Sequence, residues 1–155
     1  MSTASARPPL AILAVEDNPA YISALRRMLE RHAFPYTLEV LADGNEALIF
    51  FDRLAHEPDV PCPDVVLLDL QLPGCPGAVL LQRFRAIPRC TGITVIIVTV
   101  ADEPDVRAAT RALGATAFFP KPTRFAAYME LGHLMQRYAA GHAQGDHACE
   151  PSLES

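Results

Sequence analysis

Pro63-Asp64-Val65-Val66-Leu67-Leu68-Asp69-Leu70-Gln71-Leu72-Pro73-Gly74 is the stretch on which the fold turns. Val65, Val66, Leu67, Leu68 and Leu70 are apolar, and Asp69 is the one carboxylate among them. A charge at the end of such a run costs free energy unless it is paired, binds a metal or opens onto a site. Pro73-Gly74 then breaks the run as a turn. Three other apolar segments of strand length behave alike. Leu10 to Val15 runs into Glu16-Asp17, Ile93 to Val98 ends in Thr99, and Ala115 to Phe119 leads into Lys121. In a parallel α/β sheet the carboxyl ends of the strands gather at one crevice, where ligands bind.

Working outward, helical patterns separate these strands. Asn18 is placed to cap a helix with Pro19 at its first position, and Ile22, Leu25, Met28 and Leu29 repeat at helical spacing to about His32. Thr37 to Ala42 reads as a strand, and Asp43-Gly44 turns into a helix carrying Ala47, Leu48, Phe51 and Leu54. Glu57 to Pro63, with its three prolines, is a loop. Ala78 to Ile87 reads as a helix. Asp102 is placed to cap the next one, with Pro104 in its first turn and Gly114 as its stop. Thr123 is placed to cap a last helix ending near Ala140-Gly141, whose apolar face (Tyr128, Leu131, Met135, Tyr138) packs on the core and leaves some surface for a partner. Strands alternating with helices predict an α/β fold: a doubly wound, five-stranded parallel sheet in the flavodoxin-like order 2-1-3-4-5, helices on both faces. Residues 1–9 read as a flexible arm, 10–140 as one domain and 141–155 as a disordered tail.

The 155 residues suffice for one domain with a full core. A net charge of −5 argues against a nucleic-acid footprint, which needs a basic patch. The longest apolar stretch, Gly92 to Ala101, is too short for a bilayer. The N-terminal segment lacks the apolar core of a secretory signal, so the cytoplasm is the expected location. Cys62, Cys75, Cys90 and Cys149 form no C-x-x-C pair and read as reduced thiols, with a redox-sensitive Cys75 the bolder alternative. The five histidines show no metal-ligand spacing on a helix and read as surface or capping residues.

Brought to one edge, Glu16, Asp17 and Asp69 would repel one another. A hard divalent cation such as Mg²⁺, which takes one or two carboxylates plus phosphate and water, resolves that conflict. A lysine and a hydroxyl beside it suit the oxygens of a transferring phosphoryl group, and an aspartate can itself be the nucleophile.

With these motifs the sequence resembles the receiver domain of two-component response regulators, the CheY-like family, over roughly Leu10 to Ala140. The likeness is carried by Val15-Glu16-Asp17-Asn18, by Leu67-Leu68-Asp69-Leu70-Gln71-Leu72-Pro73 with Gly77 at the family's glycine position, by Thr99, and by Phe118-Phe119-Pro120-Lys121-Pro122, in that order and at the family's separations. The resemblance implies the following roles. Asp69 accepts a phosphoryl group from a phosphohistidine on a partner kinase or phosphotransfer protein. Glu16, Asp17, Asp69 and the backbone carbonyl of Gln71 hold Mg²⁺. Thr99 bonds the phosphoryl oxygen, Lys121 ion-pairs with it, and Phe118 is the switch aromatic, with Phe119 as its competitor. The Lys121–Pro122 bond is implied to be cis. Two departures stand out. Val100 replaces the family's usual Ala or Gly and is expected to narrow access to Asp69, and Pro76-Gly77 replaces the frequent Asp-Gly.

The expected function is that of a stand-alone response regulator, since no output module is recognisable after Gly141. Phosphorylation would alter protein binding at the face made by the fourth helix, fifth strand and fifth helix, which is also open to homodimer formation. The long Glu57 to Pro63 segment is similar to that of regulators serving phytochrome-like kinases. Two rival classes remain. One is a phosphorylation-independent scaffold or dimerisation module of the same fold. The other is a metal-dependent phosphohydrolase, disfavoured because Asp69-Leu70-Gln71 lacks a carboxylate two positions on.

Overall fold

The computed structural model describes residues 8–143. Five strands, β1 (Leu10–Val15), β2 (Tyr36–Leu41), β3 (Val65–Leu68), β4 (Thr94–Thr99) and β5 (Ala117–Pro120), alternate with α1 (Pro19–Arg31), α2 (Gly44–His56), α3 (Gly77–Arg85), α4 (Pro104–Ala112) and α5 (Phe125–Ala143). The sheet is parallel and ordered β2-β1-β3-β4-β5, as the alternation predicts. β3 and β4 are buried throughout, as central strands of a two-faced sheet must be. The edge strands β2 and β5 are only partly covered.

The period-2 alternation of the strands sorts the core into two layers. Leu13, Val15, Val66, Leu68, Val95 and Ile97 pack with Phe51, Leu54, Leu80 and Phe84 from α2 and α3. Ile12, Ala14, Val65, Leu67, Ile96 and Val98 pack with Leu25, Met28 and Leu29 of α1 and Tyr128, Leu131 and Met135 of α5. Each Val, Leu, Ile, Met or Phe side chain among them contributes roughly 1.5–3 kcal/mol on leaving water. Tyr138, the last residue of the face expected on α5, is half-buried.

Asn18 and Asp43 cap as expected: Asn18 Oδ1 accepts from Ala20 N at 2.9 Å and Asp43 Oδ1 from Glu46 N at 2.8 Å. Two other caps differ. Glu103, not Asp102, stands at the N-cap of α4 and makes no side-chain cap bond, because the Asp102 carboxylate is engaged by Arg107 at 2.8 Å. α5 starts at Phe125, two residues beyond Thr123, and continues to Ala143, past the end expected near Ala140-Gly141. The tail expected to be disordered lies, beyond Ala143, outside the described residues, as do residues 1–7 of the N-terminal arm. Gly114 ends α4 with φ +107°, a conformation that favours glycine.

Cys62, Cys75 and Cys90 are free. Cys62 Sγ and Cys90 Sγ form no disulfide but share a thiol–thiol hydrogen bond at 3.6 Å, and burial together with that bond pushes Cys90 up to about 12. His32 is the C-cap of α1 and is buried, its Nε2 lying 3.1 Å from Met129 O. No helix among the described residues is long and apolar enough to cross a membrane.

Candidate functional site

Parallel pairing in register brings the carboxyl ends of β1, β3, β4 and β5 side by side. Val15 pairs with Leu68, so Glu16 and Asp69 leave their strands as neighbours, tied further by Asp69 N donating to Val15 O at 3.1 Å. Thr99 pairs with Pro120, and Lys121 N donates to Thr99 O at 2.8 Å. Carboxylate oxygens of Glu16, Asp17 and Asp69 lie within 4.8 Å of one another. Glu16 and Asp69 are buried and Asp17 faces solvent.

Lys121 enters this acidic group. Its Nζ lies 2.7 Å from Glu16 Oε1 and 2.9 Å from Asp69 Oδ2, and its side chain is 3% exposed. Burial works against the Lys121 charge, but the bonds to Asp69 and Glu16 outweigh it and hold the ammonium above the ordinary lysine range. Burial likewise pushes the Glu16 carboxyl above the usual range, and its bonds to Lys121 and the Asn18 amide offset only part of that. One ammonium among three carboxylates leaves surplus negative charge at a crevice mouth. That donor set, all oxygen and anionic, fits a hard divalent cation. Asp69 Oδ1 also accepts from Gln71 N at 3.1 Å, which holds the Gln71 backbone against the Asp69 carboxylate.

Local sequence explains how the loop after Asp69 closes. Gly77 opens α3 directly against it: a Cβ there would lie 2.5 Å from the Asp69 carbonyl oxygen. Gly74, at φ +88°, turns the loop beside Asn45 at the start of α2. Pro76 occupies the N-cap of α3 without a side-chain bond.

Thr99 is fully buried, and its Oγ1 accepts from Ala101 N at 3.3 Å. Phe118 and Phe119 point to opposite layers. Phe119 packs on Tyr128 in the α1/α5 layer, at a ring separation of 6.4 Å. Phe118 lies on the other face, beneath the Arg107 guanidinium of α4 at 4.6 Å. Val100 follows β4 and is 53% exposed.

Two features depart from the sequence reading. No cis peptide occurs among the described residues, so the Lys121–Pro122 bond is trans. Trans is favoured by about 0.5–1 kcal/mol for a bond before proline, and the pairing of β5 with β4 already aims the lysine into the crevice. Tyr21, which the reading passed over, supplies a floor: Lys121 Nζ lies 4.0 Å from the centre of its ring. Nothing in the sequence signals this contact, which joins residues a hundred positions apart.

Comparison with known proteins covers the same segment. The family described as "Response regulator receiver domain" matches residues 12–131. A probable methanogenesis regulatory protein, FilR2 of Methanothrix harundinacea, is 32% identical over 77% of this chain and 77% of its own. The phosphorylated cyanobacterial phytochrome response regulator RcpA superposes with a TM-score of 0.75 at 22% identity, over 84% of this chain and 94% of its own. The receiver domain of the sensor histidine kinase PA1611 of Pseudomonas aeruginosa PAO1, solved with a magnesium ion in its active-site cleft, gives 0.69 at 26% identity, over 86% and 99%. Strand order, crevice and family match coincide along one stretch of sequence, and the chain belongs to the response regulator receiver domain family of two-component signalling.

Proposed function

We propose that this chain accepts a phosphoryl group on Asp69 from the phosphohistidine of a sensor kinase or phosphotransfer protein and thereby changes what it binds. The observation that carries this reading is Lys121 Nζ held between Glu16 and Asp69, within a cluster of three acids. An Asp69 oxygen attacks phosphorus, the P–N bond breaks, and the donor imidazole leaves. Glu16, Asp17, Asp69 and the Gln71 carbonyl would hold Mg²⁺, which would neutralise charge on the transferring oxygens. Lys121, kept protonated, turns from carboxylate to phosphoryl oxygen. Thr99 gives up its bond from the Ala101 amide and offers its hydroxyl instead. Phe118 follows Thr99 by leaving the Arg107 guanidinium, which repacks the face of α4, β5 and α5 that a target protein, or a second copy, would read. Val100 stands exposed beside the mouth and slows both donor and water.

The narrower expectation of a phytochrome-like kinase is supported by the long segment between α2 and β3 and by the likeness to RcpA. A cytoplasmic location follows from that kind of partner. Catalysis is limited to the chain's own phosphorylation and dephosphorylation.

The test is incubation with Mg²⁺ and acetyl phosphate, read by intact mass and by hydroxylamine lability. The parent is expected to gain one labile phosphoryl group that Asp69→Asn does not. An unmodified parent would overturn the reading in favour of a phosphorylation-independent scaffold. Val100→Ala is expected to speed both formation and loss of the adduct; unchanged rates would remove its gating role.

A further inference from the structure

The Lys121 ammonium has three N–H donors and three neighbours. Two are carboxylates, Glu16 at 2.7 Å and Asp69 at 2.9 Å. The third is the face of Tyr21, with the ring centre 4.0 Å from Nζ. A ring quadrupole attracts a cation over its face, most strongly where water is excluded, and this lysine is almost wholly buried.

Tyr21 is itself braced. It sits in the first turn of α1, whose start is fixed by Pro19 and by the Asn18 cap bond to Ala20 N. Its ring stands 6.4 Å from that of Tyr128, and Tyr128 stands 6.4 Å from Phe119. Tyr128 is buried. The three rings form a chain from α1 through α5 to β5, ending two residues before the lysine that the first ring supports.

We propose that Tyr21 is a positioning residue for Lys121, a π-face that keeps the ammonium at the acceptor while its anionic partners change. This rests on the phosphoacceptor reading above. During transfer from acetyl phosphate an Asp69 oxygen forms a bond to phosphorus, the P–O bond to acetate breaks, and acetate leaves with the electron pair. The Asp69 carboxylate charge is spent in the new anhydride, and Glu16, with Asp17, would be a ligand to a bound divalent cation. Both anionic holds on Lys121 are therefore in play at the moment it must meet the phosphoryl oxygens. The ring is uncharged, does not compete for those oxygens and is unaffected by either change. It fixes where the ammonium sits but leaves it free to turn.

The experiment measures phosphorylation rate with acetyl phosphate and Mg²⁺ for the parent, Tyr21→Phe, Tyr21→Leu, and a series with progressively fluorinated phenylalanines at position 21. Tyr21→Phe is expected within about twofold of the parent and Tyr21→Leu to be about fivefold slower. Fluorination drains the ring face while nearly preserving its shape, so the rate is expected to fall stepwise with each fluorine. The series answers the question even if the leucine variant folds poorly. A flat series, a leucine variant as fast as the parent, or a phenylalanine variant as slow as leucine would overturn the proposal, the last by assigning the effect to the hydroxyl. A parent that forms no Asp69-dependent adduct would instead refute the phosphoacceptor reading on which it stands.

Discussion

The two edges of the sheet each take a cation out of water and treat it in opposite ways. At the carboxyl edge Lys121 meets carboxylates, Glu16 and Asp69, with Asp17 close by. At the amino edge Arg85, at the end of α3, meets neutral groups. Its Nε donates to Gly114 O at 2.8 Å, and its Nη1 to Ile93 O at 2.7 Å, Cys90 O at 3.2 Å and Thr91 O at 3.3 Å. Nη2 donates to Thr116 Oγ1 at 3.2 Å. Burial lowers the Arg85 pKa somewhat, whereas the anions raise that of Lys121. Backbone carbonyls are fixed and have no other cation to seek; clustered carboxylates are surplus charge, ready to take a new partner. One edge is built to hold and the other to exchange.

The largest effect should come from Arg85→Met. It strands several carbonyls that the guanidinium gathers from the starts of β4 and β5. Charge-assisted bonds contribute roughly 1.5–3 kcal/mol each, but part of the side chain is solvated and water can replace some of them. A loss of about 3 kcal/mol is expected in urea unfolding, with divalent-ion binding unchanged. A loss well under about 1 kcal/mol, or weakened ion binding, would erase the distinction between the edges.

Next comes Gly132→Ala, where α5 passes the C-cap of α1, an element that returns toward the amino edge. A Cβ at 132 would overlap His32 Nε2, so the imidazole would have to leave Met129 O and its edge-on contact with His133. Overpacking of this kind costs about 1–3 kcal/mol, while alanine in a helix gains up to about 1 kcal/mol over glycine. A net loss of about 1 kcal/mol is expected by the same measurement. A gain would show that His32 swings out freely and that this packing is looser than Arg85's.

Alkaline pH probes the carboxyl edge, with the buried Cys90 thiol beside Arg85 titrating in the same range as a background common to parent and variants. The unfolded lysine and tyrosine titrate near 10.5 and 10.0, and the folded Lys121 and Tyr128 are both raised above those values. Tyr128 is raised by burial first, then by the charges of Glu16, Tyr21 and Asp69. Above pH 10 the unfolded chain releases these protons while the folded one keeps them. Their stabilisation is therefore complete below about pH 10 and lost as pH rises through the folded values. Melting temperature should fall across that window, less steeply in Lys121→Met and in Tyr128→Phe. Equal slopes in parent and both variants would detach the fall from this edge.

How far the sequence announced this contrast depends on how local each feature is. Asn18 and Asp43 were legible because a cap needs only its own next residues, and the strand order followed from alternation and handedness. Glu16, Asp17, Asp69, Thr99 and Lys121 were legible as strand-exit residues, since the topology must bring such ends together. The caps expected at Asp102 and Thr123 failed because Arg107 competes for Asp102 and α5 begins later than Thr123 implies. Phe118 and Phe119 competed for one role in the sequence, because which face each takes depends on which layer β5 presents to α4. Tyr21 and Arg85 were illegible. Their partners lie in distant segments, and a tyrosine in a first turn or an arginine in a last one carries no sign of what will be folded against it.

The smallest effect is the sharpest on the idea of exchange. Asp17 is the exposed member of the acidic cluster, with surplus negative charge on both sides of it and no cation bonded to it among the described residues. Without a divalent ion, repulsion from Glu16 and Asp69 outweighs the attraction of the single Lys121 charge they already share, so Asp17→Asn should stabilise the protein by about 0.5 kcal/mol, screened away by salt. With Mg²⁺ present the sign should reverse, because the variant gives up an anionic ligand and the parent gains binding free energy that the variant lacks. Melting both proteins with and without Mg²⁺ reads the reversal directly. Were Asp17→Asn destabilising in both conditions, that carboxylate would be holding structure as Arg85's carbonyls do, and the carboxyl edge would not be the exchanging one.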